Sequence, residues 1–258
     1  MFIKKNLYLY FTIKSLKMEE KYDKISKKSE EKRNKKMENK TVLFFDLDGT
    51  IVDSKPGILE SVKYALKFFD IEETDEEKLN LFIGPPLFDA FSSVYGMNQE
   101  EADFAVEKYR ENYRGNNGIL KYTVYPGIEE VLNSLKEAGK TICLATAKPL
   151  EFAKMILEDA GLIKYFDVVN GASFDETKRT KSAVIKDTIE ANCFDKKDIL
   201  MIGDRENDVT GAIKNEIDVL GVLYGYGDEK ELIDAGCKNI VKDVLDIKKF
   251  ILKEGKTL

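Results

Sequence analysis

Short apolar runs alternate with segments of helical periodicity along most of this chain. Six runs that stop on polar or glycine residues predict buried strands of a parallel sheet: Val42–Phe45, Thr141–Ala145, Phe166–Val169, Asp198–Ile202, Asp218–Val222 and Asn239–Val241. Between them, apolar residues recur every three or four positions, which predicts amphipathic helices. Strands that alternate with helices through short links predict an α/β fold built on a doubly wound parallel sheet.

Residues 55–122 interrupt this alternation. The periodicity of Gly57–Phe69 predicts a helix, and capping boxes at Thr74–Glu77 and Asn98–Glu101 predict two further helix starts. A glycine and two prolines in Phe82–Leu87 force a break, so the segment contains about four helices and no strand. We expect an α-helical cap domain inserted above the carboxyl edge of the sheet. The predicted units are a core of residues 41–54 and 123–258 and a helical cap of residues 55–122.

The first forty residues differ from the rest in charge. They contain thirteen Lys and Arg against six Asp and Glu, a net charge of +7 that leaves −13 for residues 41–258. Asn6–Ile13 is apolar, but the run is short and no small-residue cleavage site follows, so no secretory signal is predicted. Residues 18–40 are dense in charge and predict disorder or a loose exposed helix. A basic arm that contacts RNA or anionic lipid is the alternative.

Composition excludes several classes of function. A net charge of −6 gives no general attraction to nucleic acid, and no run approaches eighteen apolar residues, so no membrane span is predicted. The three cysteines are widely spaced and predict reduced packing residues of a cytoplasmic protein. The chain contains no histidine, which excludes Ser-His-Asp and Cys-His catalysis and histidine-rich metal sites. Hydrolytic chemistry would therefore need carboxylates, lysine, hydroxyl groups and a cation that prefers oxygen ligands.

Polar residues gather where predicted strands end and predicted helices begin. Six such residues stand out: Asp46, Asp48, Thr146, Lys181, Asp204 and Asp208. Because parallel strands end at the same edge of a sheet, we expect these side chains to surround one point. Four carboxylates at one point repel one another unless a cation joins them, and their oxygen atoms are ligands that Mg²⁺ prefers. The alternative is that these acids are solvated turn residues or N-caps of the following helices.

The same residues carry a family resemblance. The chain contains four short motifs in order: Phe45-Asp-Leu-Asp-Gly-Thr50, Thr146, Lys181 and Gly203-Asp-Arg-Glu-Asn-Asp208. They resemble the four motifs of the haloacid dehalogenase-like phosphohydrolase superfamily, which implies a Rossmann-like core with an inserted helical cap. Four flanking stretches are similar to the phosphoglycolate phosphatase and 5′-nucleotidase-like branch: Asp53–Ile58, Phe82–Leu87, Gly171–Lys181 and Tyr224–Gly227.

The resemblance implies a role for each motif residue. Asp46 would be the nucleophile that forms an aspartyl-phosphate, and Asp48 would be the general acid and base. Thr146 and Lys181 would hold the transferring phosphoryl oxygens. The implied metal ligands for Mg²⁺ are Asp46, Asp48 (through its backbone carbonyl) and Asp204, with Asp208 orienting a metal-bound water.

Further contacts to the substrate are predicted around these motifs. The candidates for phosphate or substrate binding are Gly49, Thr50, Ala147, Lys148 and Arg114. Lys148 and Arg114 each have an alternative interpretation as water-facing surface residues. The stretch Tyr224–Gly227 is interpreted as a turn, because no lysine and serine of a phosphate-binding loop follow its glycines.

Together these residues predict a cytoplasmic Mg²⁺-dependent phosphatase for small phosphomonoesters of the phosphoglycolate or nucleoside 5′-monophosphate type. An acid/base at position 48 leaves open a sugar phosphomutase of the same fold, and a pyrophosphatase is a further alternative. The non-enzyme alternative is a phosphate-ligand or nucleic-acid binding protein that retains the fold. The expected partner is a small phosphorylated metabolite, with no nucleic acid and no membrane, for a monomer or homodimer.

Overall fold

The computed structural model describes residues 40–116, 118–173 and 180–252. Six strands form the main sheet: β1 (Val42–Phe45), β4 (Thr141–Pro149), β5 (Val168–Ala172), β6 (Ile199–Gly203), β7 (Asp218–Val222) and β8 (Ile240–Val241). All pairs are parallel, in the order β5-β4-β1-β6-β7-β8. The predicted parallel α/β sheet is therefore confirmed. After β1 the chain adds β4 and β5 on one side of that strand, and then β6, β7 and β8 on its other side. The ends of β4, β1 and β6 are therefore neighbours in the middle of the sheet.

Helices cover the sheet on both faces. They are α5 (Ile128–Glu137), α6 (Leu150–Asp159), α7 (Lys181–Asn192), α8 (Glu206–Lys214), α9 (Glu229–Asp234) and α10 (Val244–Leu252). Alternate residues of each strand point to opposite faces. One face, with Phe44 of β1, packs against apolar residues of α7 and α8 such as Ile185 and Val209. The four residues of β1 are buried because the strand is central and covered on both faces.

The structure corrects two predicted boundaries. β4 continues beyond Thr146 to Pro149, which pairs with Ala172 after a shift of register between β4 and β5. Pro149 is therefore the last residue of the strand, and α6 begins at the next position. Lys40, which the sequence assigns to the charged N-terminal segment, packs with the core, whereas the disorder predicted for residues 18–39 lies outside the described residues. Lys40 is only 1% exposed, and its Nζ lies 2.5 Å from Asp218.

The segment between β1 and β4 is helical, as the periodicity predicts. Its helices are α1 (Lys55–Leu66), α2 (Glu76–Asn80), α3 (Leu87–Tyr95) and α4 (Gln99–Gly115). The capping box of Asn98 and Glu101 is present at the start of α4. The predicted box at Thr74 is wrong, because α2 begins after Asp75, whose carboxylate accepts the N–H groups of Glu77 and Lys78.

A short antiparallel ribbon stands at the base of this helical segment. It pairs β2 (Val52–Asp53) with β3 (Thr123–Val124). Strands of two residues have no detectable periodicity, so the sequence did not predict them. The ribbon joins the two points at which the chain leaves and re-enters the sheet region. None of the described helices combines the length and apolar character that a membrane crossing requires.

Candidate active site

Three carboxylates from two neighbouring strand ends meet at the carboxyl edge of the sheet. Asp46 follows β1, and its N–H donates to the carbonyl of Ile202 at 2.9 Å. Asp204 follows β6, and Asp208 lies in the first turn of α8. One carboxylate oxygen from each of these three buried aspartates lies within 4.8 Å of the others. We refer to Asp46, Asp204 and Asp208 as the carboxylate cluster.

Lys181 contacts two members of the carboxylate cluster. It is the first residue of α7, whose start is fixed by the Thr180 hydroxyl accepting the N–H of Ala183. Its Nζ lies 2.5 Å from Oδ1 of Asp46 and 2.8 Å from Oδ1 of Asp208. Burial would lower the pKa of Lys181, but the charges of Asp208 and Asp46 outweigh it and raise the pKa above its usual value.

The remaining charge of the carboxylate cluster is poorly compensated. Burial raises the pKa of Asp46 to about 6, Lys181 opposes that shift, and the charge of Asp208 adds to it. Burial, together with the charges of Asp208 and Asp46, also raises the pKa of Asp204 well above its usual value. These shifts mean that one lysine does not neutralise three buried carboxylates.

The donor set was tested for its fit to a metal ion. The site combines four carboxylates with two buried lysines, which leaves two negative charges: Asp46, Asp48, Asp204 and Asp208 against Lys148 and Lys181. A divalent cation would supply the missing two positive charges. Hard carboxylate oxygens on a small cluster suit Mg²⁺, which binds through one or two carboxylates and keeps room for water and phosphate oxygens.

Two residues predicted to contact phosphate support Asp204 instead. The Thr50 hydroxyl donates to Oδ1 of Asp204 at 2.9 Å, and Thr50 is fully buried. Gly49 has a φ of +81°, and a Cβ at this position would lie 2.1 Å from Oδ2 of Asp204. Neither residue lines the cavity over the site. A glycine is required here because the backbone is left-handed and the carboxylate passes directly against it.

Asp48 lies apart from the carboxylate cluster. Its two carboxylate oxygens each accept a hydrogen bond from Nζ of Lys148 at 2.9 Å, and Oδ1 also accepts the Ser54 hydroxyl. Lys148 is 8% exposed, so its water-facing interpretation is wrong. We refer to Asp48 and Lys148 as the acid/base pair. The side chain of Asp48 is thus directed to Lys148, which leaves its backbone carbonyl as the group predicted to face a metal.

Thr146 lies between these two regions. It is 1% exposed, and its Oγ1 accepts the N–H of Lys148 at 3.2 Å. A hydroxyl that accepts from the backbone keeps its own proton for another acceptor, such as a phosphate oxygen. Thr146 and Ala147 both line the cavity, together with Asp46, Asp48 and Lys181.

The cavity has a volume of about 430 Å³ and lies between the sheet edge and the helical segment. Its walls are mainly apolar and aromatic: Ile58, Phe82, Leu87, Phe88, Tyr109, Tyr113 and Phe152. Arg110, Asp103 and Glu107 add charge on the side of α4. Arg114, predicted to contact substrate, does not line the cavity. It is exposed and lies 3.7 Å from Glu151.

The loop after β7 supports the site in a way that was not predicted from the sequence. The Tyr226 N–H donates to Oδ2 of Asp204 at 2.9 Å, and the Tyr226 hydroxyl donates to Asp53 at 2.8 Å. The Tyr224 hydroxyl donates to the carbonyl of Thr50 at 2.7 Å. The tyrosines in Tyr224–Gly227 were the available signal, since only the glycines had been considered.

Arg205 was also missed. Its side chain donates to Glu231 and to the carbonyl of Ile83, each at 2.7 Å, and its N–H donates to Asp208 at 3.1 Å. Arg205 therefore joins the residue after Asp204 to the Gly-Pro-Pro turn of the helical segment. The pairing partner in the helical segment is a backbone carbonyl, which carries no sequence signal.

Comparisons with known proteins agree on one family. A family model described as haloacid dehalogenase-like hydrolase matches residues 43–222. A Pseudomonas aeruginosa protein named 5′-nucleotidase is 38% identical over 190 residues, which cover 74% of this chain and 86% of that protein. A Vibrio parahaemolyticus protein named phosphoglycolate phosphatase is 30% identical over 212 residues, covering 79% and 92%. A Mycobacterium tuberculosis protein named tyrosine-protein kinase PtkA is 30% identical over 204 residues, covering 79% and 69%.

A solved structure shows the same fold. The protein is described as a predicted phosphatase from Clostridium acetobutylicum, and it superposes on this chain with a TM-score of 0.79 at 44% sequence identity. The match covers 83% of this chain and 99% of that one.

Proposed function

Because the chain belongs to the haloacid dehalogenase-like hydrolase family, in which it is a phosphomonoester hydrolase, we propose that it hydrolyses small phosphomonoesters through an acyl phosphate (aspartyl-phosphate) on Asp46. The observation that carries this proposal is the contrast at the end of β1. Asp46 belongs to the carboxylate cluster, whereas Asp48 is held separately in the acid/base pair. Two carboxylates in such different surroundings suit the two roles of nucleophile and general acid/base.

The first half-reaction transfers the phosphoryl group to the protein. A carboxylate oxygen of Asp46 attacks phosphorus, and the bond from phosphorus to the leaving oxygen breaks. The leaving oxygen keeps that electron pair and takes a proton from Asp48, which enters this half-reaction in its protonated form. Lys181 and Thr146, which line the cavity, would hold the phosphoryl oxygens and stabilise the charge that spreads over them.

The second half-reaction releases phosphate. Asp48, now ionised, takes a proton from a water molecule as the water oxygen attacks phosphorus. The bond between phosphorus and Asp46 breaks, which restores the carboxylate and frees inorganic phosphate. Asp48 is protonated again at the end, so one acid/base group serves both halves.

The carboxylate cluster and the backbone carbonyl of Asp48 are the groups that would hold Mg²⁺. When bound, the cation supplies charge that offsets the repulsion between the Asp46 carboxylate and a phosphate dianion. The two uncompensated negative charges and the raised pKa of Asp46, to about 6, support this assignment. Burial is the main cause of this shift, and the charge of Lys181 offsets it only in part.

The helical segment, residues 55–122, would act as a cap over the site. Cavities for small molecules have volumes of about 300–1,000 Å³, and the cavity of about 430 Å³ is closed on one side by this segment. Arg205 holds its Gly-Pro-Pro turn to the core through Ile83. Opening of the cap would admit substrate, and closure would exclude bulk water during phosphoryl transfer.

The substrate is proposed to be a small phosphorylated metabolite, of the phosphoglycolate or nucleoside 5′-monophosphate type. Relatives named for both substrates support this class. The cytoplasmic location inferred from cysteine usage, and the state of monomer or homodimer, stay predictions.

The test combines a substrate panel with one substitution. Phosphate release is measured with Mg²⁺ for phosphoglycolate, nucleoside 5′-monophosphates, sugar phosphates and pyrophosphate, and kcat/KM values are compared. Asp46→Asn should abolish turnover and leave the thermal unfolding temperature within a few degrees of the parent. Asp103→Asn, a matched change on the cavity wall, should retain most of the activity.

A second measurement addresses the intermediate. Acid quenching during turnover of a ³²P-labelled substrate should trap label on the protein in a form that hydroxylamine releases, since it is an acyl phosphate. Asp46→Asn should trap none. Persistent turnover by Asp46→Asn would refute the nucleophile, and a requirement for a bisphosphate activator without release of free phosphate would favour a mutase.

A further inference from the structure

The acid/base pair is built differently from a surface ion pair. The side chains of Lys148 and Asp48 are 5% and 16% exposed. Nζ of Lys148 contacts both carboxylate oxygens at the same distance of 2.9 Å. Charge-assisted hydrogen bonds to both oxygens fix the plane and direction of a carboxylate, and burial keeps them from being screened.

The backbone around Lys148 is shaped for this contact. Lys148 lies in the part of β4 where the register with β5 shifts, between Thr146 and Pro149. Such an irregularity in a strand redirects a side chain relative to the regular pleat. Its N–H donates to the Thr146 hydroxyl at 3.2 Å, which ties the lysine to a residue of the catalytic site.

The helical segment completes the enclosure. The ring of Tyr113, from α4, lies over Lys148 with Nζ 5.1 Å from the ring centroid. Tyr113 in turn stacks on Tyr109 and meets Phe152 edge to face, with centroid distances of 5.3 Å and 5.4 Å. An ammonium over an aromatic face is attracted to it, and the rings exclude water from the pair.

Without Lys148, the electrostatic forces on the Asp48 carboxylate would favour a different orientation of its side chain. Asp46 lies two residues earlier, and the charges of Asp46 and Asp48 interact within the site. A metal ion in the carboxylate cluster would attract the Asp48 carboxylate once Lys148 no longer holds it. A carboxylate that turns toward the metal cannot transfer a proton to the leaving oxygen. The Ser54 hydroxyl alone contacts only one of the two oxygens.

We propose that Lys148 is a positioning residue, which holds the Asp48 carboxylate away from the carboxylate cluster and aligned for proton transfer in both half-reactions. The inference rests on the proposed function. Lys148 acts through Asp48 and not on the phosphoryl group, which distinguishes it from the lysine at position 181.

The test uses the full chain and two substrates that differ in their leaving groups. The alkyl alcohol released from the fastest alkyl monoester of the panel must be protonated as its bond to phosphorus breaks. The p-nitrophenolate released from p-nitrophenyl phosphate is stable without a proton, so its departure needs no acid. Attack of water on the phosphorylated Asp46 needs the base with either substrate.

Lys148→Met removes the charge and keeps the stem. We expect kcat on the alkyl substrate to fall about 100-fold, because misplacement of a catalytic group by about 1 Å costs this much, while KM changes by less than about threefold. With p-nitrophenyl phosphate, rapid mixing should show a burst of nitrophenolate equal to the enzyme concentration, followed by slow turnover. Lys148→Arg should recover part of the lost kcat, since a guanidinium can bridge both carboxylate oxygens.

Lys136, in helix α5 just before the same strand, offers a matched control. Nζ of Lys136 contacts both oxygens of Asp167 at 2.7 Å and 2.8 Å, and Asp167 accepts the N–H of Ile142 in β4. Lys136→Met should therefore show neither the burst nor the loss of kcat. Thermal unfolding of each variant verifies that it is folded.

Three results would overturn the proposal. A rise in KM on both substrates with unchanged kcat would show that Lys148 binds phosphate directly. An equal fall of kcat on both substrates without a burst, or no change at all, would show that Asp48 does not depend on it. If the unaltered protein releases no phosphate from either substrate, the proposed function itself fails. The first two results, in contrast, leave the proposed function intact and reject only the role of Lys148.

Discussion

Asp46 and Asp48 are two residues apart in sequence and occupy opposite kinds of surroundings. Asp46 lies in the carboxylate cluster of three aspartates, where the ammonium of Lys181 contacts Asp46 and Asp208. The Asp48 carboxylate pairs with Lys148 and also accepts a hydrogen bond from the Ser54 hydroxyl. The first region has an excess of negative charge that calls for a cation, and the second is neutral and fixed in direction.

The difference shows how one loop can supply two functions. A carboxylate that must attack phosphorus needs positive charge nearby, so that an anionic substrate can approach it. A carboxylate that must give and take a proton needs a fixed position more than a strong field. The strand end brings both acids to the site, and the neighbouring elements then assign them to different partners.

Among the variants that distinguish the two regions, the largest effect is expected from removing the acid/base function. Asp48→Asn should lower kcat on alkyl substrates by about 10³-fold, within the usual range for general acid/base catalysis. The carboxylate cluster stays intact in this variant, so the stabilisation that Mg²⁺ gives in thermal unfolding should be retained. Equal loss of activity and of Mg²⁺ stabilisation would contradict the separation of the two regions.

A smaller effect is expected on stability when the carboxylate cluster loses its lysine. Lys181→Met leaves buried carboxylates without a cation, and breaking a buried ion pair in this way costs about 3–5 kcal/mol. Denaturant unfolding without Mg²⁺ should show this loss, and Mg²⁺ should restore part of it. Lys136→Met, which breaks a partly exposed pair, should cost less than about 1 kcal/mol. If both variants lose a similar free energy of unfolding, Lys181 does not offset the negative charge of the carboxylate cluster.

The close approach of Gly49 to Asp204 offers a third comparison. Gly49→Ala combines a left-handed backbone at φ +81° with a Cβ 2.1 Å from Asp204. Gly96→Ala is matched to it, with φ +68° and no atom within 4 Å of the added Cβ. The backbone strain alone costs about 1–3 kcal/mol, so both should destabilise. Only Gly49→Ala should also weaken Mg²⁺ binding, as a calorimetric titration would measure.

The remaining effect concerns pH. Burial raises the pKa of Asp46 from 3.8 to about 6, so the folded protein binds this proton more tightly than the unfolded chain does. Without metal, the charged form of Asp46 therefore removes stability as pH rises from about 4 to about 6, and the loss then levels off. The free energy of unfolding of Asp46→Asn relative to the parent should rise over this interval. A constant difference across it would contradict the lack of charge compensation at Asp46.

The order of strands and helices was readable from the sequence, because it depends on local patterns. Apolar runs over Val42–Phe45 and Asp218–Val222 have the bounds of β1 and β7. The capping box at Asn98 and the helical character of the segment before β3 were equally local. The candidate residues Asp46, Thr146, Lys181 and Asp204 could be named for the same reason, since each follows a predicted strand or opens a predicted helix. A parallel sheet brings such positions to one edge.

Only the tertiary structure decided which of these residues touch one another. The pairing of Lys148 with Asp48 joins residues one hundred positions apart, and it depends on a local shift in strand register that no apolar pattern records. The support that Thr50 and Tyr226 give to Asp204 depends on two loops meeting at the sheet edge. The sequence by itself determined which chemical groups reach the active edge, because strand ends are set by local periodicity. Their division into a carboxylate cluster and a neutral acid/base pair required three-dimensional contacts, because a charge is compensated by whichever group lies within a few ångströms of it.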